Sequence, residues 1–202
     1  MIRWQHVLGT AATFALVASV FAAPDNFVQN PGFEDGVPEP WTSYGEATLD
    51  ISDRAGAFEG SNALEITVQA AGANFWDSGI KYEPDAAFEH GTLYTWAVFL
   101  KADKMLTVNM KPELSIDPWT AYGEAQKELT EEWVEHWVEL EPDVDVQPAA
   151  LTMHVGFDDG TIWMDSVRFY EGAYEPTTAT PYAVDPSGKL ATQWSALRRG
   201  NL

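Results

Sequence analysis

Near its C-terminal end the chain carries a strand signal, Thr161-Ile162-Trp163-Met164-Asp165-Ser166-Val167-Arg168-Phe169, with an aspartate where a plain strand would place an apolar residue. Far earlier, Asn30-Pro31-Gly32-Phe33-Glu34-Asp35-Gly36 predicts a second short strand that also carries an acid. A buried carboxylate without a partner is costly. We therefore expect Glu34 and Asp165 to meet and share a cation. Because loop-closure entropy grows only logarithmically with loop length, such a clip would stabilise a whole domain.

The first 22 residues resemble a secretory signal peptide. Arg3 and His6 form a polar start, Val7 to Phe21 is apolar, and Val20-Phe21-Ala22 is a small-residue cleavage pattern. The apolar run is shorter than the roughly 20 residues that span a bilayer, and no later segment is long enough. We expect a secreted protein, extracellular or periplasmic, that is not embedded in a membrane. The alternative is a retained N-terminal anchor.

Composition narrows the possible partners. The chain has no cysteine, which excludes a disulfide framework, a cysteine metal site and a lipobox attachment. Its formal net charge is −20, and the predicted signal peptide contributes none of the 31 acids. Such a chain repels phosphate backbones and anionic lipid headgroups. We therefore expect no nucleic-acid or membrane partner, and neutral or cationic ligands and divalent cations remain.

A period of two dominates the chain that follows the predicted signal peptide. Apolar residues alternate with polar ones in three segments, Leu64-Ile66-Val68, Leu106-Val108-Met110 and Leu151-Met153-Val155. Tyr94 to Lys101 is apolar on both faces, which indicates a strand inside a sheet. Turn residues separate these segments. The pattern predicts an all-β antiparallel sandwich of about eight to ten strands.

The C-terminal region has a different character. Glu175 to Pro181 is a polar Pro/Thr-rich linker, and Leu190, Trp194 and Leu197 share one face of a short basic segment. We divide the chain into a signal peptide at 1–22, a sandwich domain at 26–173 and a linker with tail at 174–202. For residues 185–202 we expect either a short docking or sorting helix, with a protein as the partner, or a frayed tail that orders only against a partner. The second alternative arises because so short a helix is marginal in water.

Several motifs occur in an order that resembles carbohydrate-binding modules of families four, nine and twenty-two. They are Asn30 to Gly36 with Trp41, Gly60 to Leu64, Asn74-Phe75-Trp76-Asp77, Gly91 to Trp96, Lys101-Ala102-Asp103, Trp133, and Ile162 to Val167. The resemblance covers about residues 26 to 171. It implies a galactose-binding-like jelly roll of two antiparallel sheets and non-catalytic binding of polysaccharide, of the β-glucan or xylan class.

The resemblance also implies a structural calcium ion near the first and last strands, which assigns Glu34 and Asp165 as metal ligands. Calcium takes six to eight oxygen ligands and mixes carboxylates with backbone carbonyls. The turn Glu59-Gly60-Ser61-Asn62 is the expected source of carbonyls. The alternative is that both acids only cap turns at the edge of the sandwich.

Aromatic residues predict the ligand site. The chain has nine tryptophans, and a flat indole can cover the apolar face of a sugar ring while amides, carboxylates and lysines bind its hydroxyls. We assign ligand binding to Trp76, Asp77, Lys81, Trp119 and Tyr122. Trp119 is the strongest candidate, because a tryptophan between Pro118 and Thr120 in a turn is poorly explained by burial.

Structural roles compete with several of these assignments. Trp76 is equally consistent with a core position beside Ile80, and Lys81 with a solvated surface charge. Core or edge packing is the favoured interpretation of Trp41, Trp96 and Trp133. Trp137 should point away from its apolar neighbours, where it lines the sheet surface or is covered by a loop.

Two further functional classes remain open from the sequence. A jelly-roll glycoside hydrolase needs two carboxyl groups across the scissile bond, but the abundance of acids here makes chance pairs common. The mature histidines lack zinc-like spacing. A surface protein-interaction domain is the other alternative, since this fold hosts many functions.

Overall fold

The computed structural model describes residues 24–53 and 56–177, which form two packed five-stranded antiparallel sheets. The strands are β1 (Thr42–Tyr44), β2 (Ala47–Ser52), β3 (Ala63–Val68), β4 (Gly79–Tyr82), β5 (Tyr94–Ala102), β6 (Leu106–Leu114), β7 (Ala125–Leu129), β8 (Val134–Leu140), β9 (Ala149–His154) and β10 (Gly160–Glu171). The front sheet has the order β1-β4-β9-β6-β7, and the back sheet has the order β2-β3-β10-β5-β8. The predicted all-β jelly-roll sandwich is confirmed.

Alternation places the core between the sheets. In β6, Leu106, Val108 and Met110 face inward and are buried, while Thr107 and Lys111 face the other side. The segment Tyr94 to Lys101 lies in β5, an interior strand between β10 and β8, and is buried on both faces except at Lys101. The predicted interior strand and the half-buried strands β3 and β6 are therefore confirmed. The half-buried interpretation of Leu151-Met153-Val155 was wrong, because all six residues of β9 are buried. On the outward face of β9, Thr152 hydrogen-bonds to Glu113 and His154 packs against the ring of Phe75.

The large aromatic residues of the core fill the space between the sheets. Trp41 and Trp96 are 2% and 0% exposed, and their rings stack at 6.3 Å between centroids. Trp133 lies at the edge, where it contacts the ring of Phe58. Trp137 points outward and is 39% exposed, so it lines the surface of the back sheet, where the ring of Tyr174 stacks on one of its faces at 3.9 Å.

The segment from residue 30 to 36 is not a strand, and that prediction was wrong. It consists of consecutive turns, in which the N–H of Phe33 donates to the carbonyl of Asn30 and the N–H of Gly36 donates to the carbonyl of Phe33. Asn30, Phe33 and Gly36 all have positive φ, which is incompatible with an extended strand. Pro31 additionally lacks a backbone donor for a ladder.

The early turn segment and the last strand nevertheless meet, as expected. The N–H of Val167 donates to the carbonyl of Pro31 at 2.8 Å. Strand β10 contains a β-bulge between Asp165 and Arg168, with Ser166 at φ 49°. The bulge breaks the alternation of the strand and re-aims its side chains, as bulges commonly do.

Several predictions fall on residues that the structure does not describe. They are the signal peptide at 1–22 and, after residue 177, the linker with tail at 174–202, which includes the predicted docking segment at 185–202. Within residues 24–53 and 56–177, no helix has the length and apolar character needed to cross a membrane.

Candidate functional site

A cleft of about 830 Å³ lies on the outer face of the front sheet. That volume is within the range of small-ligand sites, which are concave and carry a few polar groups among apolar walls. Its lining comes from strands β1, β4, β6 and β9 and from the loops before β4 and after β6: Thr42, Ser43, Tyr44, Phe75, Trp76, Lys81, Lys111, Glu113, Trp119, Ala121, Glu124, Thr152 and His154.

Cross-strand pairing builds the floor of the cleft. Thr42, Lys81, Thr152 and Lys111 are successive partners across β1, β4, β9 and β6. With neighbouring strands about 4.8 Å apart, this row runs roughly 14 Å across the sheet. Apart from Ala150, the outward positions of β6 and β9 are thus polar, and the residues between them face the core.

A second row runs parallel to the first, through Tyr44, Gly79, His154 and Asn109. A Cβ atom on Gly79 would lie 2.4 Å from the Tyr44 hydroxyl oxygen and 2.8 Å from the Met153 carbonyl oxygen. Glycine therefore lets the tyrosine ring lie across β4. Burial raises the pKa of Tyr44, and Glu113 adds to the effect, so the phenol stays neutral.

Trp76 stands on one wall of the cleft, in the loop that leads into β4. It is 52% exposed, and its ring meets Phe75 edge-on at 4.8 Å. Phe75 in turn stacks on Phe157 at 4.8 Å, which supports the loop from beneath. The core position considered for Trp76 was wrong, since the indole is open to solvent.

Trp119 belongs to the turn that follows β6, at the other end of the sheet from the Trp76 loop. Its N–H donates to the carbonyl of Ile116 at 2.7 Å, and the indole is 48% exposed. Its φ is 58°, which is unusual for a bulky residue and marks positions that the surrounding structure holds in place. The cleft therefore has an exposed indole from a loop at each end of the front sheet.

A buried polar network lies beneath Trp119. Lys111 Nζ is 2.7 Å from Glu113 Oε2 and donates to the carbonyl oxygen of Trp119 at 2.8 Å. Thr152 donates its hydroxyl to Glu113 Oε1 at 2.6 Å. Both Glu113 and Thr152 are buried, so the network is rigid and its charges cancel.

Lys81 has its own carboxylate partner. Its Nζ lies 2.8 Å from Glu83 Oε1 and 3.3 Å from the hydroxyl of Ser115. The hydroxyl of Ser115 also donates to Glu83. Hydrogen bonds from Lys81 and Ser115 lower the pKa of Glu83. The solvated-charge interpretation of Lys81 was therefore wrong, because the ammonium group is paired and lines the cleft.

The structure brings together three of the five predicted ligand residues, Trp76, Lys81 and Trp119. It places Asp77 elsewhere, with its carboxylate accepting from the N–H of Asn74 at 2.8 Å to shape the loop. Tyr122 is partly buried and packs against the core. We therefore leave Asp77 and Tyr122 out of the site.

The polar floor and two of the aromatic lining residues of the cleft were not identified from the sequence. Tyr44, Phe75, Lys111, Glu113 and His154 all line the cleft without having been assigned to it. The signal that could have found Lys111 and Glu113 is the alternation of β6, which puts them opposite the apolar face. Nothing in the local sequence pairs them with β9.

A second, smaller pocket contains both predicted metal ligands, Glu34 and Asp165. Asp165 is fully buried, and its carboxylate accepts from the N–H groups of Phe58 at 2.8 Å and Glu59 at 3.0 Å. Burial raises the pKa of Asp165 to about 6, and the charge of Glu34 contributes to the rise.

The turn at 59–62 provides amide donors to these acids. Glu34 Oε1 accepts from the N–H groups of Ser61 at 2.7 Å and Asn62 at 2.9 Å. Both acids thus take the turn-capping role that was the alternative to metal binding. Glu34 Oε2 has no hydrogen bond to any residue in the described ranges.

Two acids that repel each other in a pocket, one of them buried, nevertheless fit a hard divalent cation. A Cβ on Gly32 would lie 3.7 Å from Asp165 Oδ1 and 3.8 Å from Glu34 Cγ, which places this backbone between the two acids. In the part of the chain that the structure describes, no three His, Cys, Asp or Glu side chains cluster as a metal site. Any cation here therefore needs backbone carbonyl or water ligands as well.

The structure is thus a two-sheet β-sandwich with an aromatic-walled cleft on the front sheet. Residues 25–161 match the family model of a carbohydrate binding domain, and the chain belongs to that family. No curated protein sequence matches it.

Solved structures with similar folds include carbohydrate-binding modules. A CBM4 structure has 22% identity and a TM-score of 0.57, over 71% of this chain and 99% of that chain. The CBM22-1 xylan-binding domain of Paenibacillus barcinonensis Xyn10C has 13% identity and a TM-score of 0.60, over 77% and 100%. TmCBM61 in complex with β-1,4-galactotriose has 17% identity and a TM-score of 0.53, over 73% and 99%. At these identities the likeness concerns the fold.

Proposed function

We propose that this protein binds a neutral polysaccharide, without cleaving it, in the cleft of the front sheet. The observation that carries the proposal is the pair of exposed indoles, Trp76 and Trp119, at the two ends of one cleft. An indole covers the apolar C–H face of a sugar ring, and polar floor groups accept or donate to its hydroxyls. The family membership of the chain supports the same function.

The charge of the cleft supports a neutral ligand. Lys81 is paired with Glu83 and Lys111 with Glu113, at 2.8 and 2.7 Å. The paired lysines leave no surplus positive charge for an acidic polysaccharide, and the net charge of the chain repels one. The β-glucan and xylan class fits these requirements, and the similar fold of a xylan-binding domain favours it.

A structural calcium ion between Glu34 and Asp165 is the second part of the proposal. The ion would compensate the carboxylate charge of Asp165, whose pKa is raised by burial and further by the charge of Glu34. It would also fix the turn segment at 30–36 against the bulge of β10. It would act far from the sugar, by stabilising the fold.

We also propose that the protein is secreted. The support is the signal-peptide pattern of residues 1–22, with polysaccharide as an extracellular target. N-terminal sequencing of the exported protein would test this, with cleavage after Ala22 as the expected result and an intact N-terminus as the contrary one.

A glycan array, followed by affinity electrophoresis in gels with soluble xylan, barley β-glucan or polygalacturonate, tests the binding function. The wild-type protein should be retarded by at least one neutral glycan and not by polygalacturonate. Trp119→Ala should lose the retardation, while Trp137→Ala should keep it, because Trp137 is exposed on the back sheet. Release of reducing sugar would instead establish a glycoside hydrolase. If both variants were retarded equally, the cleft would not be the binding site.

A further inference from the structure

On the cleft floor, hydrogen bonds join Glu124, Asn109 and His154. Stacking of a sugar on Trp76 and Trp119 assigns no role to these three residues. Asn109 Nδ2 lies 2.9 Å from Glu124 Oε1 and 3.3 Å from His154 Nδ1. Asn109 is fully buried and His154 is 6% exposed. Buried polar groups at such a position need partners, so their arrangement is informative.

The hydrogen bonds to Glu124 and His154 fix the orientation of the Asn109 side-chain amide. An ionised carboxylate only accepts hydrogen bonds, so the amide atom that faces Glu124 has to be the nitrogen. Its second hydrogen then points to His154 Nδ1. The Asn109 oxygen is correspondingly left buried without a partner among the described residues. An inverted amide would place its oxygen against the carboxylate of Glu124, and the two acceptors would repel.

The same logic fixes the tautomer of His154. Because Nδ1 accepts from Asn109, the proton of the neutral ring sits on Nε2. Burial lowers the pKa of His154, and Lys111 lowers it further against the opposing charges of Glu113 and Glu124. The ring is therefore neutral near pH 7, with one N–H.

That N–H is available to a ligand. His154 lines the cleft, and its Nε2 makes no hydrogen bond to any residue within 24–53 or 56–177. The imidazole ring meets the ring of Phe75 edge-on, at 5.6 Å between centroids, and this contact limits the rotation of the imidazole. A donor that is already oriented loses little entropy when it binds an acceptor.

We propose that His154 Nε2–H donates a hydrogen bond to a hydroxyl or ring oxygen of the bound glycan, and that Asn109 and Glu124 are positioning residues that hold its tautomer. This inference rests on the proposed function of the cleft. It makes His154 a specificity-determining residue, because a site built to bind a sugar oxygen discriminates against an analogue that lacks it.

Nitrogen-15 NMR of the imidazole in the whole, ligand-free protein tests the tautomer. The expected spectrum shows protonated Nε2 and unprotonated Nδ1 at pH 7, and titration with xylohexaose or cellohexaose should shift the Nε2–H signal. Protonated Nδ1 in the free protein would overturn the inference. This measurement needs no variant, so it stands even where a substitution disturbs folding.

Three variants test the donor role by calorimetric titration with the same oligosaccharides. His154→Phe should weaken binding about 5–10-fold, the worth of one net hydrogen bond. His154→Gln should restore much of the affinity, because its amide N–H reaches the same place. Asn109→Leu should weaken binding and mix the two tautomers.

The outcomes separate the inference from the proposed function. If His154→Phe binds like the wild-type protein while Trp119→Ala does not bind, the donor role is wrong and the cleft function stands. If the wild-type protein binds neither oligosaccharide nor any glycan of the array, the cleft function fails and the donor role fails with it.

Discussion

Lys111 Nζ donates a hydrogen bond to the backbone carbonyl oxygen of Trp119 at 2.8 Å. The same ammonium group pairs with Glu113, which is buried, so solvent screens the pair only weakly. This contact links strand β6 to the turn that presents an exposed indole at positive φ. A residue on the cleft floor thus holds the aromatic wall in its conformation.

Replacement of Lys111 by methionine should therefore have two effects. It leaves the Glu113 carboxylate buried without its cation, which should lower the free energy of unfolding by about 3–5 kcal/mol. It also frees the Trp119 turn, so glycan affinity should fall.

The double variant Lys111→Met/Glu113→Gln should recover stability in urea unfolding without recovering affinity. Lys104→Met, which breaks an exposed pair with Asp159, is the matched control and should change stability by about 1 kcal/mol or less. Full affinity in the double variant would show that the turn holds itself.

Calcium should raise the thermal stability of the protein. A ligand that binds only the folded state stabilises it by about 2.7 kcal/mol at 100 times its dissociation constant, which corresponds to several degrees in melting temperature. Differential scanning calorimetry with calcium and with EDTA measures the shift. Glu34→Gln should abolish the calcium response, while Asp35→Asn, its exposed neighbour, should keep it. Identical scans of the wild-type protein in calcium and in EDTA would show that Glu34 and Asp165 do not form a calcium site.

His136 should make stability fall in mild acid. Burial, aided by the charge of Lys127, lowers the pKa of His136 to about 4, from the usual 6.5 of a histidine. Between these values the unfolded chain binds a proton that the folded chain does not, so stability is lost as pH falls through that window. Urea unfolding of the wild type and of His136→Leu at several pH values measures this. The unfolding free energy of His136→Leu minus that of the wild type should rise as pH falls from about 6.5 to 4. A difference that does not change with pH would contradict the lowered pKa of His136.

The sequence predicted those features that depend on local pattern. Alternation in β3, β6 and β9 was sufficient for the sandwich, because each strand has one face on the core. Trp119 was found because a tryptophan in a turn has no core to fill. The segment at 30–36 was misread as a strand, since its acid suggested burial while its Pro and Gly residues make turns.

The cleft floor could not be predicted in the same way. Glu113 and Thr152 are buried at outward positions only because β6 pairs with β9, and that register joins residues far apart in the chain. The tautomer of His154 likewise depends on Asn109 across the same strand pair. Asp77 was assigned to the ligand because of its neighbour Trp76, but the course of the loop turns its carboxylate toward Asn74.

A glycan that lies in the front-sheet cleft between Trp76 and Trp119 should change the NMR signals of their indole N–H groups. Titration with xylohexaose or cellohexaose should shift the signals of Trp76 and Trp119 in a saturable way. The signals of Trp137 and Trp163, on the back sheet, should stay in place. Shifts confined to the back-sheet tryptophans would show that the glycan binds outside this cleft.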